Sequence, residues 1–146
     1  MGVIAGLKFL KNDSRFTRND YIFVLGGKKR IKQFQEMDGQ FIKELKFYYS
    51  KISNTAFWNN PQNIEDAVIN LEHLAASLRK ECAFNTQLMQ VAGKEKMEKE
   101  QQALLDVGSR LFSAKSEVEA AIEKLKHWPD AKYAAKHLVV AWRWLE

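Results

Sequence analysis

The stretch MEKEQQALLDVGSRLFSAKSEVEAAIEKLKHW (97–128) has an apolar side chain at every seventh position. The members of this row are Met97, Leu104, Leu111, Val118 and Leu125. A second row, apolar in all but its first member, consists of Glu100, Val107, Ala114, Ala121 and Trp128. Two rows spaced three and four apart share one side of an α-helix, and a seven-residue repeat keeps that side facing a neighbour. The pattern predicts one long helix, from about residue 95 to 127, packed lengthwise on other helices.

A second long helix is predicted before it, beginning after Pro61 with Asn63 as the N-cap and ending at a turn formed by Gly93. Its apolar side has the same alternation of three and four, through Ile64, Val68, Leu71, Ala75, Leu78, Cys82, Asn85, Met89 and Ala92. Leu74 and Leu88 widen this side beyond the contact line of a two-stranded coiled coil. The width favours a helical bundle.

The first helix is harder to place, because YIFVLGGKKRIKQF (21–34) has two interpretations. A β-rich run before Gly26-Gly27 is typical of a two-residue hairpin. The second arm, KKRIK (28–32), is almost wholly charged and would make a poor strand. We therefore favour a short helix or extended piece that ends at the glycines, followed by a helix of roughly 25 residues that begins near Lys28.

The remaining segments complete an all-α prediction. SNTAFWNNPQN (53–63) predicts a loop whose Phe57 and Trp58 cover the end of the bundle, and Pro129 ends the third helix. The tail begins a shorter fourth helix. We expect an elongated antiparallel bundle of three main helices, with a coiled-coil-like hairpin of the second and third. Residues 1–20 would form an N-terminal arm and loop, and residues 21–146 the bundle domain.

Composition excludes several classes of protein. The chain has 146 residues, 46% of them hydrophobic, which is too apolar for a disordered segment. Cys82 is the only cysteine, so an intramolecular disulfide is impossible and an intracellular, cytoplasmic location is expected. No run of apolar residues approaches the 18 or so that a transmembrane helix needs.

No motif in the sequence indicates catalysis. His73, His127 and His137 fall on three different predicted helices, and none belongs to an HExxH motif. Cys82 lies on an apolar stripe, where a small packed side chain is the expected role. The alternating charges of KEKMEKE (94–100) are typical of a solvated helix face. We predict a protein that is not an enzyme, with no catalytic residue, cofactor, metal site or small-molecule substrate.

The positive charge is concentrated near the N-terminus. Residues 1–53 hold 11 Lys and Arg against 5 Asp and Glu. The cluster that could bind an anion or an anionic membrane surface consists of Arg18, Lys28, Lys29, Arg30 and Lys32. Together with the apolar residues 2–10, this region gives an alternative function, peripheral binding of anionic membrane through residues 1–32. A solvated basic turn is the simpler interpretation. Nucleic-acid binding is disfavoured, because no aromatic platforms alternate with these cations.

The C-terminal helix supplies the candidate protein contact. Residues two apart on a helix point about 200° from one another, so of Trp142 and Trp144 one can be buried while the other faces outward. An outward Trp144 beside Arg143 would suit an interface, where both residue types are enriched. The second and third helices also have more apolar surface than the shorter pieces can cover. We therefore expect a helical protein-interaction module, an adaptor or assembly subunit, that binds a protein partner or itself, with a homodimer favoured.

Overall fold

A computed structural model describes the backbone of residues 27–127 and 133–146, and the side chains of residues 39–127 and 133–146. Four α-helices account for most of these residues: α1 (Gly27–Ile52), α2 (Pro61–Lys94), α3 (Glu98–Lys126) and α4 (Ala134–Leu145). A 3₁₀ helix (Thr55–Asn59) joins α1 to α2. The all-α prediction is confirmed for this part of the chain. The predicted N-terminal arm and loop, residues 1–20, lie outside the described residues.

The four helices pack in a bundle-like arrangement. Helix α2 packs on α3, α3 packs on α4, and α4 packs on α1. Side-chain pairs give the directions: Arg79 meets Glu119 and Glu72 meets Lys126, so α2 and α3 run in opposite directions. Helices α1 and α2 stand further apart, and the gap between them is a surface cleft described below.

The heptad rows of α3 form its buried side, as the sequence predicts. Leu104, Leu111, Val118 and Leu125 are buried, and so are Val107, Ala114 and Ala121 in the second row. Trp128 lies outside the described residues. Glu100 is a correction: the sequence indicates a solvated face at 94–100, yet this side chain is only 6% exposed. It belongs to the second row, so its place on the helix puts it against the neighbouring helices whatever its polarity.

Both ends of α2 differ from the sequence prediction. The N-cap is Asn60, whose side-chain oxygen accepts a hydrogen bond from the backbone N–H of Gln62 at 3.0 Å, and Pro61 takes the first helical position. Asn63 instead donates to the carbonyl of Phe57. At the other end the helix continues through Gly93 to Lys94.

Gly93 lies where α2 approaches a side chain of α3 closely, and it is not the residue that forms the turn. A Cβ atom there would lie 2.6 Å from the side-chain nitrogen of Gln101, which donates to the carbonyl of Met89. The left-handed residue of the α2–α3 turn is Lys96, with φ of 57°. The turn predicted at Gly93 is therefore displaced by three residues along the chain.

A buried amide also connects α2 and α3. Asn85 is 1% exposed, and its Nδ2 donates to the carbonyl oxygen of Leu104 at 2.8 Å. A Cβ on Gly108 would lie 2.7 Å from that nitrogen, so the glycine makes room for the amide. Oδ1 of Asn85 has no hydrogen-bond partner among the described atoms. Since a buried donor must find an acceptor, this contact favours one alignment of the two helices.

The start of α1 decides between the two interpretations of residues 21–34. Helix α1 begins at Gly27, so residues 28–32 are helical and are not the second arm of a hairpin. The conformation of residues 21–26 lies outside the description. At the other end of α1, Phe57 is buried in the core and Trp58 donates from Nε1 to the carbonyl of Ile52 at 3.0 Å. These two aromatic residues cover the end of the bundle as predicted.

In the part of the chain described, no helix combines the length and the apolar character required to cross a bilayer.

Candidate interaction surfaces

The predicted basic cluster falls largely outside what the structure describes. Arg18 is not among the described residues. Lys28, Lys29, Arg30 and Lys32 lie in the first turns of α1, where the backbone is described but the side chains are not. Contact of this region with an anion or a membrane therefore stays a prediction.

The two C-terminal tryptophans separate as predicted. Trp142 is half-buried and packs edge-to-face on Tyr49 of α1, with the ring centroids 5.3 Å apart. The ammonium group of Lys46 lies 5.8 Å from the same ring. Trp144 is exposed, and so is Arg143. The α1–α4 contact thus uses one tryptophan and leaves the other at the surface.

A groove lies between α3 and α4 at the surface. It encloses about 430 Å³ and is lined by Glu117, Lys124, Tyr133, Lys136, His137 and Val140. The Nδ1 atom of His137 lies 2.6 Å from a carboxylate oxygen of Glu117, and both side chains are half-buried. This contact joins the two helices at the floor of the groove. His137 belongs to no sequence motif that would assign it a role. Its spacing could have placed it on the same face of α4 as two exposed aromatic residues. Successive members of the row Tyr133, His137, Val140 and Trp144 are four, three and four residues apart.

A larger cleft separates α1 from α2. It encloses about 790 Å³, and its apolar lining includes Phe41, Phe47, Tyr48 and Leu74. Phe47 is 52% exposed at the rim, where it packs edge-to-face on Tyr48 at 5.2 Å. The ammonium group of Lys51 covers the Phe47 ring at 4.7 Å. The cleft is therefore aromatic on the α1 side and open to solvent along its length.

Tyr48 is a titratable side chain of this cleft with a shifted pKa. Burial raises the pKa of the Tyr48 phenol, and the carboxylates of Glu44 and Asp66 raise it further. The phenol stays protonated at neutral pH and keeps a hydrogen-bond donor available to an occupant. His73 is exposed on the opposite wall.

Elsewhere on α3, the exposed Phe112 lies beneath the ammonium group of Lys115 at 4.3 Å, and Leu105 is exposed one heptad earlier. Both side chains lie on the α2 side of α3, away from the groove and the cleft.

Cys82 is half-buried and packs against the core, the role that its place on the stripe predicts. Burial raises the pKa of its thiol; the nearby Lys115 ammonium lowers it and Glu81 raises it. Within the described ranges, no three His, Cys, Asp or Glu side chains converge as a metal ion would require.

We expect Cys82 to react slowly with a disulfide reagent such as dithiobis(nitrobenzoate). A raised pKa leaves a smaller thiolate fraction at pH 8, and half-burial limits access, so the rate should be at least about tenfold below that of glutathione. Absorbance at 412 nm measures the reaction, and unfolding in guanidinium chloride should remove the difference. A folded-state rate equal to that of glutathione would show an accessible, ordinary thiol.

No protein-family model matches this chain, and no curated protein or solved structure is significantly similar to it.

Proposed function

We propose that this chain is a non-enzymatic helical interaction module, an adaptor or assembly subunit, that self-associates as a homodimer. In this proposal α2 and α3 form a coiled-coil-like hairpin within an elongated antiparallel bundle. The dimer buries the α1–α2 cleft of one protomer against the same cleft of the other.

The observation that supports the proposal is apolar exposure. Among the described residues, seven large apolar side chains are exposed: Phe47, Tyr49, Ile69, Leu105, Phe112, Tyr133 and Trp144. A single exposed apolar residue needs no explanation, but a cluster beside a cleft is typical of an interaction site. Phe47 lies on the α1 rim of the cleft, and Ile69 precedes a residue that lines its α2 wall.

A second copy of the chain is a suitable occupant for two reasons. The cleft is lined by a lysine and a glutamate next to one another, Lys43 and Glu44. A two-fold axis that passes between these two side chains would place Lys43 opposite the partner's Glu44, and the two charges would then be complementary. The same axis would bring the two Phe47 rings towards each other's clefts, and two-fold dimers are the commonest soluble oligomers.

Phe47→Glu tests the dimer, with Phe112→Glu as a matched control. The two phenylalanines are 52% and 57% exposed, and each lies beneath a lysine ammonium group. We expect the wild type and Phe112→Glu to have twice the 16.9 kDa mass of one chain at micromolar concentration. Phe47→Glu should have the monomer mass, because it removes an apolar ring that each protomer buries and places two carboxylates in the contact, where the loss of their hydration is costly even beside Lys51. Multi-angle light scattering measures all three.

A wild-type mass near 17 kDa over the whole concentration range would reject self-association. Equal dissociation by both substitutions would place the interface away from the cleft.

A further inference from the structure

The groove between α3 and α4 is a candidate helix-binding surface. Tyr133 and Val140 line it on the α4 side, and the exposed Trp144 lies about one helical turn beyond Val140. Tyr133 and Trp144 are eleven positions apart, a rise of about 16 Å or three turns along a helix. A partner helix of three to four turns would span this distance and could place one apolar side chain between the two rings.

The charge of the groove is positive. Lys124 on α3 and Lys136 on α4 line it, and Arg143 follows Lys136 and Val140 on the same side of α4. Among the described residues, none of these three cations forms an ion pair. Glu117, the carboxylate that lines the groove, is already bonded to His137. An incoming carboxylate would therefore find cations on both sides of the groove with no internal competitor.

From this geometry we infer that the groove binds an acidic amphipathic helix of a protein partner. Apolar side chains of that helix pack on Val140 between Tyr133 and Trp144, and its flanking Asp or Glu side chains pair with Lys124, Lys136 and Arg143. The inference rests on the proposed interaction function and names the class of partner. It uses a different flank of the bundle from the dimer surface.

A nucleic acid is the competing ligand for a surface with cations and aromatics, and the groove suits it less well. The aliphatic Val140 and a single tyrosine, Tyr133, offer no run of stacking faces, and the two lining lysines, Lys124 and Lys136, lie on different helices. Single-stranded nucleic acid instead favours a continuous cationic track with stacking platforms along it.

A phage-displayed library of 18-residue helices, randomised along one face, tests the inference when selected on the full chain. We expect enriched sequences to combine Leu or Phe at i, i+3 or i+4, and i+7 with flanking Asp and Glu. The enriched peptide, synthesised with a fluorescein label, should bind about tenfold more weakly to Trp144→Ala and to Lys136→Glu in anisotropy titrations. Phe112→Glu, exposed on the other side of α3, should bind it like the wild type.

Three results would overturn the inference: no enrichment, enrichment of basic or uncharged faces, or peptide binding that Trp144→Ala and Lys136→Glu leave unchanged. Tighter binding of a 15-residue oligothymidine through the same two residues would assign the groove to nucleic acid. Circular dichroism confirms that each exposed-site variant is folded.

The titration is repeated with Phe47→Glu to keep this inference separate from the dimer. Retained peptide binding by a monomer supports the groove independently of self-association. If the wild type is a dimer but selects no acidic helix, the inferred function of the groove is overturned and the proposed dimer is not.

Discussion

Leu104→Ala and Leu111→Ala are each expected to lower the free energy of unfolding by about 2–5 kcal/mol, the range for removing a buried leucine side chain. Leu104 is 0% exposed and Leu111 is also buried, both on the heptad row of α3. Each substitution removes an isopropyl group and leaves a cavity that long, well-packed helices can close only in part. Urea denaturation followed by circular dichroism at 222 nm gives the change.

Leu105→Ala is the matched control for this prediction. Leu105 is the next residue on the same helix, but it is 45% exposed. Its truncation should change the free energy of unfolding by less than about 1 kcal/mol, because surface substitutions have small effects. Equal costs at positions 104 and 105 would mean that the heptad row does not face the core.

Asn85→Asp is expected to cost about 3–5 kcal/mol at pH 8, the range for an uncompensated charge in a protein interior. The substitution removes the Nδ2 donor that bonds the Leu104 carbonyl and directs a carboxylate oxygen at it instead. The side chain is 1% exposed, so water cannot solvate the new charge. The same denaturation experiment measures the effect.

Gln87→Glu provides the comparison, because it makes the same change from amide to carboxylate. Gln87 lies on the same helix two residues after Asn85, but its side chain is exposed. Its substitution should cost about 1 kcal/mol or less, since the charge stays hydrated. A similar cost at both positions would mean that the Asn85 amide does not lie in a closed interior.

The sequence was most informative where the decisive property is periodic. The buried side of α3 follows from residue spacing alone, since positions three and four apart share a face of any α-helix. The same reasoning placed Leu71, Leu78 and Asn85 on the buried side of α2, and it separated Trp142 from Trp144. These features depend only on neighbours along one helix.

Features that depend on two helices were not predictable in the same way. The contact of Glu117 with His137 joins residues 20 positions apart, so it requires the alignment of α3 with α4. Gly93 illustrates the same limit, because its close approach to the Gln101 side chain depends on the next helix. Competing local signals explain the misplaced N-cap of α2, where Asn60 and Asn63 are both suitable residue types.

The candidate surfaces were predicted unevenly for the same reason. Trp144 and Arg143 were identified because one helix suffices to show which way they face. The α1–α2 cleft was not, since it exists only where two neighbouring helices stand apart. The basic residues Arg18, Lys28, Lys29, Arg30 and Lys32 stay a prediction, and binding of the full chain to anionic liposomes at increasing salt addresses them.

The pairing of α1 with α4 has a consequence for the order of assembly. The α2–α3 hairpin joins segments linked by a short turn, so it closes at little cost in loop entropy. The contact of Tyr49 with Trp142, by contrast, closes a loop that contains the whole hairpin. Local contacts form early and distant ones late in chains of this size. We expect the hairpin to form first and α4 to pack on it afterwards. Helix α1 would then complete the molecule last, and with it the wall of the cleft.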